Sequence, residues 1–247
     1  MIYIDTRKGK HHKISEDAVL VGDIIISDES DVLPVPEEGF VCVADGVGGN
    51  NGGADASTFL LEELLQNSVV ENQDELRNRL IGINSALIQN GRKNPAVATM
   101  ATTLTGVFMS GVSNYLMHVG NTRAYVMQGN YLKQITQDHT VYNWLRSMGR
   151  FEEADACNKN EITNCFGGGD VSLISKLQVM EIPHFNKMLL TSDGIHEYVD
   201  IDLLEEILND SVISNEAKCD RIITAAIEAG SEDDITIVLI QRKELPV

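Results

Sequence analysis

The sequence predicts an α+β fold in which sheets stack face to face and helices cover their outer surfaces. Three observations carry this expectation. Eight short apolar or β-branched runs, at 18–21, 24–26, 40–43, 104–109, 115–119, 124–127, 187–190 and 235–240, are bounded by Gly, Asp, Asn or Ser and read as strands. Ala56, Phe59, Leu60 and Leu64, then Leu76, Leu80, Ile83 and Leu87, recur at helical spacing, so each segment presents one apolar stripe to a sheet. Helices come in pairs between runs of strands, an order that suits stacked sheets better than a βαβ alternation around a parallel sheet.

The first strands follow a polar, mixed-charge lead-in over residues 1–13 that is not built like a signal peptide. After the two helices come the central strands. Residues 139–169 are the least regular stretch, with a short amphipathic segment around Trp144 and the triplet Gly167-Gly168-Gly169, and are expected to form a flap over a site. Asp202 and Glu205 form a capping-box pattern ahead of Leu203, and Cys219, Ile222, Ile223, Ala226 and Ile227 mark a last helix stopped by Gly230. No repeat or low-complexity linker divides the 247 residues, so one domain spanning 1–247 is expected.

Composition narrows the function. The chain is 43% hydrophobic and 23% charged with no run of about 20 apolar residues, so a cytoplasmic protein is expected. Its formal charge of −18 lacks the clustered Lys and Arg that a nucleic acid requires. The four cysteines, Cys42, Cys157, Cys165 and Cys219, have no metal-type spacing and read as reduced structural thiols.

Three apolar strands end in, or start just after, acidic residues. They are Val41-Cys42-Val43-Ala44-Asp45-Gly46, Met188-Leu189-Leu190-Thr191-Ser192-Asp193-Gly194, and Glu232-Asp233-Asp234 ahead of Ile235-Thr236-Ile237-Val238. A strand end is a rigid mount, and a following glycine lets backbone approach an ion closely. Oxygen-only ligands suit Mg²⁺ or Mn²⁺, and two such ions can activate a shared water and clamp a phosphoryl group without a side-chain nucleophile. A single Asp-Gly pair is more often a turn. The ordered set is what carries weight.

That set is Ser15-Glu16-Asp17-Ala18, Ala44-Asp45-Gly46-Val47-Gly48-Gly49 with Gly53 and Ala56-Ser57, Met100-Ala101-Thr102-Thr103, Val119-Gly120-Asn121-Thr122-Arg123-Ala124-Tyr125, Gln134-Ile135-Thr136-Gln137-Asp138-His139, Thr191-Ser192-Asp193-Gly194 and Asp233-Asp234-Ile235-Thr236. In this order, over nearly the whole chain, it resembles the metal-dependent (type 2C, or PPM) Ser/Thr protein phosphatases. The resemblance implies a four-layer αββα sandwich with the metals at one edge of two central antiparallel sheets. It implies hydrolysis of phosphoserine and phosphothreonine by a water bridging two Mn²⁺ or Mg²⁺ ions. Asp45 would bridge the ions, the Gly46 carbonyl would bind one, Asp193 and Asp233 the other, and Glu16 and Asp17 would hold metal-bound waters. Phosphorylated proteins of a Ser/Thr kinase are the implied partners, and a monomer is expected.

Four positions depart from the family pattern. His12 stands where the family has a phosphate-gripping Arg, and is the candidate phosphate contact here. Asn50 stands where bacterial members commonly have His, and cannot supply a proton. Asn121 replaces an aspartate that helps hold a third ion in some members, so a third metal should be weak or absent. Asp234 replaces an Asn and would either raise metal affinity or point into solvent. The alternative function is a weakly active or inactive homologue that binds phosphoproteins as a regulatory module; a small-phosphoester hydrolase is a second.

Overall fold

The protein is described by a computed structural model over residues 1–47, 52–66 and 70–243. Six strands, β1 (Ile2–Arg7), β4 (Ser30–Leu33), β9 (Arg123–Gln128), β10 (Tyr131–Gln134), β13 (Lys187–Thr191) and β14 (Ile235–Gln241), form one sheet in the order β10-β9-β13-β14-β1-β4. A second six-stranded sheet contains β2 (Asp17–Val21), β3 (Ile24–Ile26), β5 (Gly39–Asp45), β7 (Leu104–Met109), β8 (Asn114–Val119) and β12 (Gln178–Ile182), ordered β12-β8-β7-β5-β2-β3. The two-residue strands β6 (Ala101–Thr102) and β11 (Phe166–Gly167) pair separately. All ladders are antiparallel.

Period-two alternation builds the layers. In β2 and β5, Val19, Val21, Val41 and Val43 enter the core between the sheets, where they meet Ile2, Ile4, Met188, Leu190, Val238 and Ile240. The alternate residues Ala18, Leu20, Phe40, Cys42 and Ala44 face outward onto α1 (Gly53–Gln66) and α2 (Gln73–Arg92), meeting Ala56, Leu60, Leu64, Leu76, Leu80 and Leu87. On the other side Leu189, Ile237 and Leu239 pack against α5 (Asp193–His196), α6 (Ile201–Asn209) and α7 (Asn215–Glu228). The result is the αββα sandwich. Two short helices, α3 (Val141–Ser147) and α4 (Phe151–Ala156), lie in the irregular stretch.

The eight predicted strands are all present. Four longer ones went unread, and their positions explain why. Strands β4, β10 and β12 are sheet edges, so a partly solvated strand such as Tyr131-Leu132-Lys133-Gln134 carries little apolar pattern. Strand β1 lies inside its sheet, but Asp5 and Thr6 interrupt its apolar run. The cap of α6 also differs from expectation: Asp200, not Asp202, accepts the Leu203 N–H at 2.9 Å, while Glu205 accepts the Leu132 N–H at 2.7 Å and ties α6 to β10.

Candidate metal centre

Both sheets deliver carboxylates to one edge. Asp17 opens β2 and lies directly opposite Asp45, the last residue of β5. Asp45 is held by its backbone: its N–H donates to Thr103 Oγ1 at 3.1 Å, and its carbonyl accepts from the Thr103 N–H at 2.8 Å and Thr102 Oγ1 at 2.9 Å. In the other sheet β13 and β14 are paired to Thr191 and Ile237, and Ser192 extends the ladder by donating to the Thr236 carbonyl at 3.0 Å. Asp193 and Asp233 therefore project from neighbouring ends of one hairpin-like pair.

The glycines after two of these aspartates have a sharper purpose than the sequence indicated. A Cβ at Gly194 would sit 2.2 Å from the Asp234 carbonyl oxygen, and one at Gly46 would sit 2.6 Å from the Gly53 backbone. Neither position has room for a side chain. What the glycines permit is the approach of another chain segment, which closes the cleft around the acids. Glu16 completes this packing, since a Cβ at Gly53 would lie 2.6 Å from its carboxyl group.

Electrostatics shows the cost of this arrangement. Burial pushes Asp17 well above the ordinary carboxylate range, and Asp234 and Asp193 push it further; the nearby Thr236 and Ser192 hydroxyls pull it back without hydrogen-bonding to it, the Thr236 hydroxyl donating instead to Thr6 Oγ1 at 2.8 Å. Burial does the same to Asp45, reinforced by Asp193, Asp17, Asp233 and Asp234. Asp193 is raised to about 6 by burial and by Asp233, despite a hydrogen bond from Asn121. Glu16 is raised chiefly by burial. Both carboxylate oxygens of Asp17 are buried without a hydrogen-bond partner. Buried like charges with orphaned oxygens match the donor set of a hard divalent cation.

The predicted residues do not all behave alike. Ligand atoms of His12, Asp233 and Asp234 lie within 4.8 Å of one another. Asp234, however, does not point into solvent. It is 3% exposed and accepts from the Gly9 N–H at 2.6 Å, the Glu16 N–H at 2.6 Å and His12 Nδ1 at 2.9 Å. Burial works to lower the His12 pKa, but the Asp234 hydrogen bond and the charges of Asp234, Glu16 and Asp233 outweigh it and raise the value. Lys10 and His11 pair with Glu232 instead. Asn121 donates from Nδ2 to Asp193 at 2.8 Å, and its Oδ1 is buried without a partner. Asn50 lies outside the described residues.

Three features were missed in the sequence. Arg123 clamps Asp138 through Nε at 2.9 and 3.0 Å and Nη2 at 2.6 Å, joining two motifs that were read separately. No spacing rule links residues 15 apart, so the sequence offered no signal for this pair. Glu197 is exposed as a residue, but partial burial of its carboxyl and the charge of Asp193 raise it to about 7, and Asn160 of the irregular stretch hydrogen-bonds it. Nothing in the sequence pairs those two. Asn121, Arg123, Asp138, Tyr142, Lys159 and Glu197 line a pocket of about 280 Å³ between that stretch and α5.

No family model matches the chain. A serine/threonine phosphatase of Listeria welshimeri is 31% identical over 214 residues, covering 82% of this chain and 84% of that one. The chain belongs to the PPM-type serine/threonine protein phosphatases of bacteria. The Stp1 phosphatase of Staphylococcus aureus, in a crystal structure, superposes with a TM-score of 0.81 at 26% identity, over 98% of this phosphatase and 95% of the other. The catalytic domain of the phosphatase PstP, solved with two manganese ions, shares the fold with a TM-score of 0.74 at 24% identity, covering 97% and 98%. Among the described residues no helix is long and apolar enough to cross a membrane.

Proposed function

We propose that the acidic cleft removes phosphate from phosphoserine and phosphothreonine in protein substrates, with Asp45, the Gly46 carbonyl, Asp193 and Asp233 as the groups that would hold two divalent ions. Two Mn²⁺ or Mg²⁺ ions bound there would polarise the phosphoryl group and lower the pKa of a water between them, so that no nucleophilic side chain is needed. The observation that carries this reading is the orphaned, buried carboxylate of Asp17 facing Asp45 across the β2–β5 ladder, with no hydrogen-bond partner among the described residues.

The chain's own residues divide the remaining work. Asp17 and Glu16 would hold the ions' water ligands, and Asp17, anchored in β2, cannot turn away to solvent. The backbone bonds to Thr102 and Thr103 hold Asp45 at a fixed depth. His12, about one-third exposed at the rim, is the phosphate contact. A third ion has little to bind: Asn121 donates to Asp193 where a carboxylate would have faced it, Asp138 is clamped by Arg123, and Asp170 caps Ser172. Substrates would enter beside the pocket near Glu197, and a Ser/Thr kinase would supply them.

The test is turnover of a phosphothreonine peptide and of p-nitrophenyl phosphate with Mn²⁺ and with EDTA. Mn²⁺-dependent release of phosphate from the peptide is expected. Binding of the peptide without turnover would favour the regulatory-module reading, and turnover of the small ester alone would favour a small-phosphoester hydrolase.

A further inference from the structure

Two of the four departures from the family pattern meet in space. His12 and Asp234 are 222 residues apart in sequence and 2.9 Å apart in the fold. Asp234 also accepts the Gly9 N–H through Oδ1 and the Glu16 N–H through Oδ2, each at 2.6 Å. One carboxylate thus stitches both ends of the loop between β1 and β2 to the start of β14. The loop is seated closely, because a Cβ at Gly9 would lie 2.6 Å from the Asp233 carbonyl carbon. Lys8 Nζ adds a bond to the His12 carbonyl at 3.0 Å.

The chemistry requires a carboxylate at 234. Three donors converge on the side chain, and an ionised carboxylate is acceptor-only with room for all three. An asparagine would present an NH₂ group to at least one of them. With Nδ1 committed to Asp234, only Nε2 of His12 is left for a substrate. The ring is about one-third exposed, whereas the Asp234 carboxylate is almost fully buried.

We propose that Asp234 is a positioning residue for the phosphatase reaction: its carboxylate fixes the His12 ring and the Glu16 backbone beside Asp233, so that Nε2 of His12 meets the substrate's phosphoryl oxygens. His12 and Asp234 then form one recognition unit. This rests on the reading of the cleft as a phosphoryl-binding metal centre. It goes beyond that reading in assigning Asp234 a role through His12, and none as a ligand.

The experiment compares wild type, Asp234→Asn, His12→Ala and the double variant, all loaded with Mn²⁺. It measures kcat and KM on a phosphothreonine peptide, the Kd of inorganic phosphate by calorimetry, and the Kd of Mn²⁺. Each single variant should raise KM and the phosphate Kd by roughly tenfold, the size expected for one charge-assisted hydrogen bond, with kcat much less affected. The double variant should be no worse than either single one. Mn²⁺ affinity should stay within a factor of about three, well under the cost of losing a direct ligand. Effects that multiply in the double variant would overturn the proposal, as would a tenfold loss of Mn²⁺ affinity in Asp234→Asn or an unchanged phosphate Kd.

Should Asp234→Asn fail to fold, His12→Gln and His12→Asn separate the two nitrogens. The Gln amide reaches the Nε2 position and the Asn amide the Nδ1 position, and both variants should bind phosphate weakly. Full phosphate affinity in His12→Gln would show that the Asp234 contact is dispensable and overturn the proposal. A wild type that binds phosphate but leaves the peptide intact would count against the proposed function, while the phosphate Kd values would still decide the role of Asp234. A wild type that binds no phosphate would overturn both.

Discussion

Asp5, Asp138 and Asp17 are all less than a tenth exposed, but the chain treats them in opposite ways. Asp5 takes two hydrogen bonds from Arg7, at 3.2 and 2.9 Å, and one from Ser30 at 2.9 Å. Asp138 is held by Arg123 and by Gln134 Nε2 at 3.1 Å. Asp17 has no partner for either oxygen and looks across to Asp45. Burying a carboxylate without a cation costs several kcal/mol, so a fold that supplies arginine at two sites and withholds it at the third leaves a place for a cation from outside. The difference separates structural acids from the acids of the centre more clearly than burial does.

The largest expected effect falls on the centre. Asp193→Ala and Asp233→Ala should each reduce Mn²⁺-dependent turnover of a phosphothreonine peptide by on the order of a thousandfold or more, about 4 kcal/mol in the barrier. Both residues sit at strand ends outside the packed core, so circular dichroism and the urea midpoint should change little. Retained activity in either variant would remove that residue from the centre.

A second effect concerns a titratable group that is buried like Asp17 but satisfied like Asp5. His118 is fully buried between Thr105 Oγ1 at 2.8 Å and the Gln137 carbonyl at 2.9 Å, 4.8 Å from the His139 ring. Burial lowers its pKa to about 4, against the bond to the Gln137 carbonyl. Between that value and the unfolded value of about 6.5, the unfolded chain binds a proton that the native state does not. Stability therefore falls as pH drops through this window, by about 2 kcal/mol at pH 5. Burial also lowers His139 to about 4 and lowers His196, so both proteins should lose stability between pH 7.5 and pH 5 in urea denaturation, with the wild type losing about 2 kcal/mol more than His118→Gln; equal losses would contradict it.

The smallest effect sharpens the comparison most. In EDTA, Asp17→Asn should stabilise the protein by about 1 kcal/mol, because it removes a buried charge that has no partner, whereas Asp5→Asn should destabilise it by about 1–2 kcal/mol by leaving Arg7 and Ser30 without an anionic acceptor. With saturating Mn²⁺ the Asp17→Asn advantage should vanish. Denaturation midpoints of both variants, with and without metal, read this directly; a destabilising Asp17→Asn in EDTA would mean that Asp17 is held by contacts within the fold.

The sandwich was legible because its central strands bury both faces, so runs such as Phe40-Val41-Cys42-Val43 and Ile235-Thr236-Ile237-Val238 carry a dense apolar signal. The edges were not, since Ser30–Leu33 and Tyr131–Gln134 are paired on one side only and look like loops. In the candidate centre, Asp45, Asp193 and Asp233 could be read from their places at strand ends, whereas Asp17 and Glu16 enter only through the family resemblance. Partnerships could not: His12 and Asp234, Arg123 and Asp138, and Asn160 and Glu197 are joined by the fold across stretches that no spacing rule spans. For the same reason the glycines at 46 and 194 looked like an aid to ion binding, when their immediate task is to let two backbones touch.

The central claim is that Asp17, Asp45, Asp193 and Asp233 form a centre that would hold a pair of divalent ions. Calorimetric titration of the metal-free protein with Mn²⁺ tests it most directly. The account predicts two ions per wild-type chain, loss of at least one in Asp193→Ala and Asp233→Ala, and a third, weaker ion only in Asn121→Asp. No Mn²⁺ binding, or identical isotherms for wild type and Asp193→Ala, would contradict it.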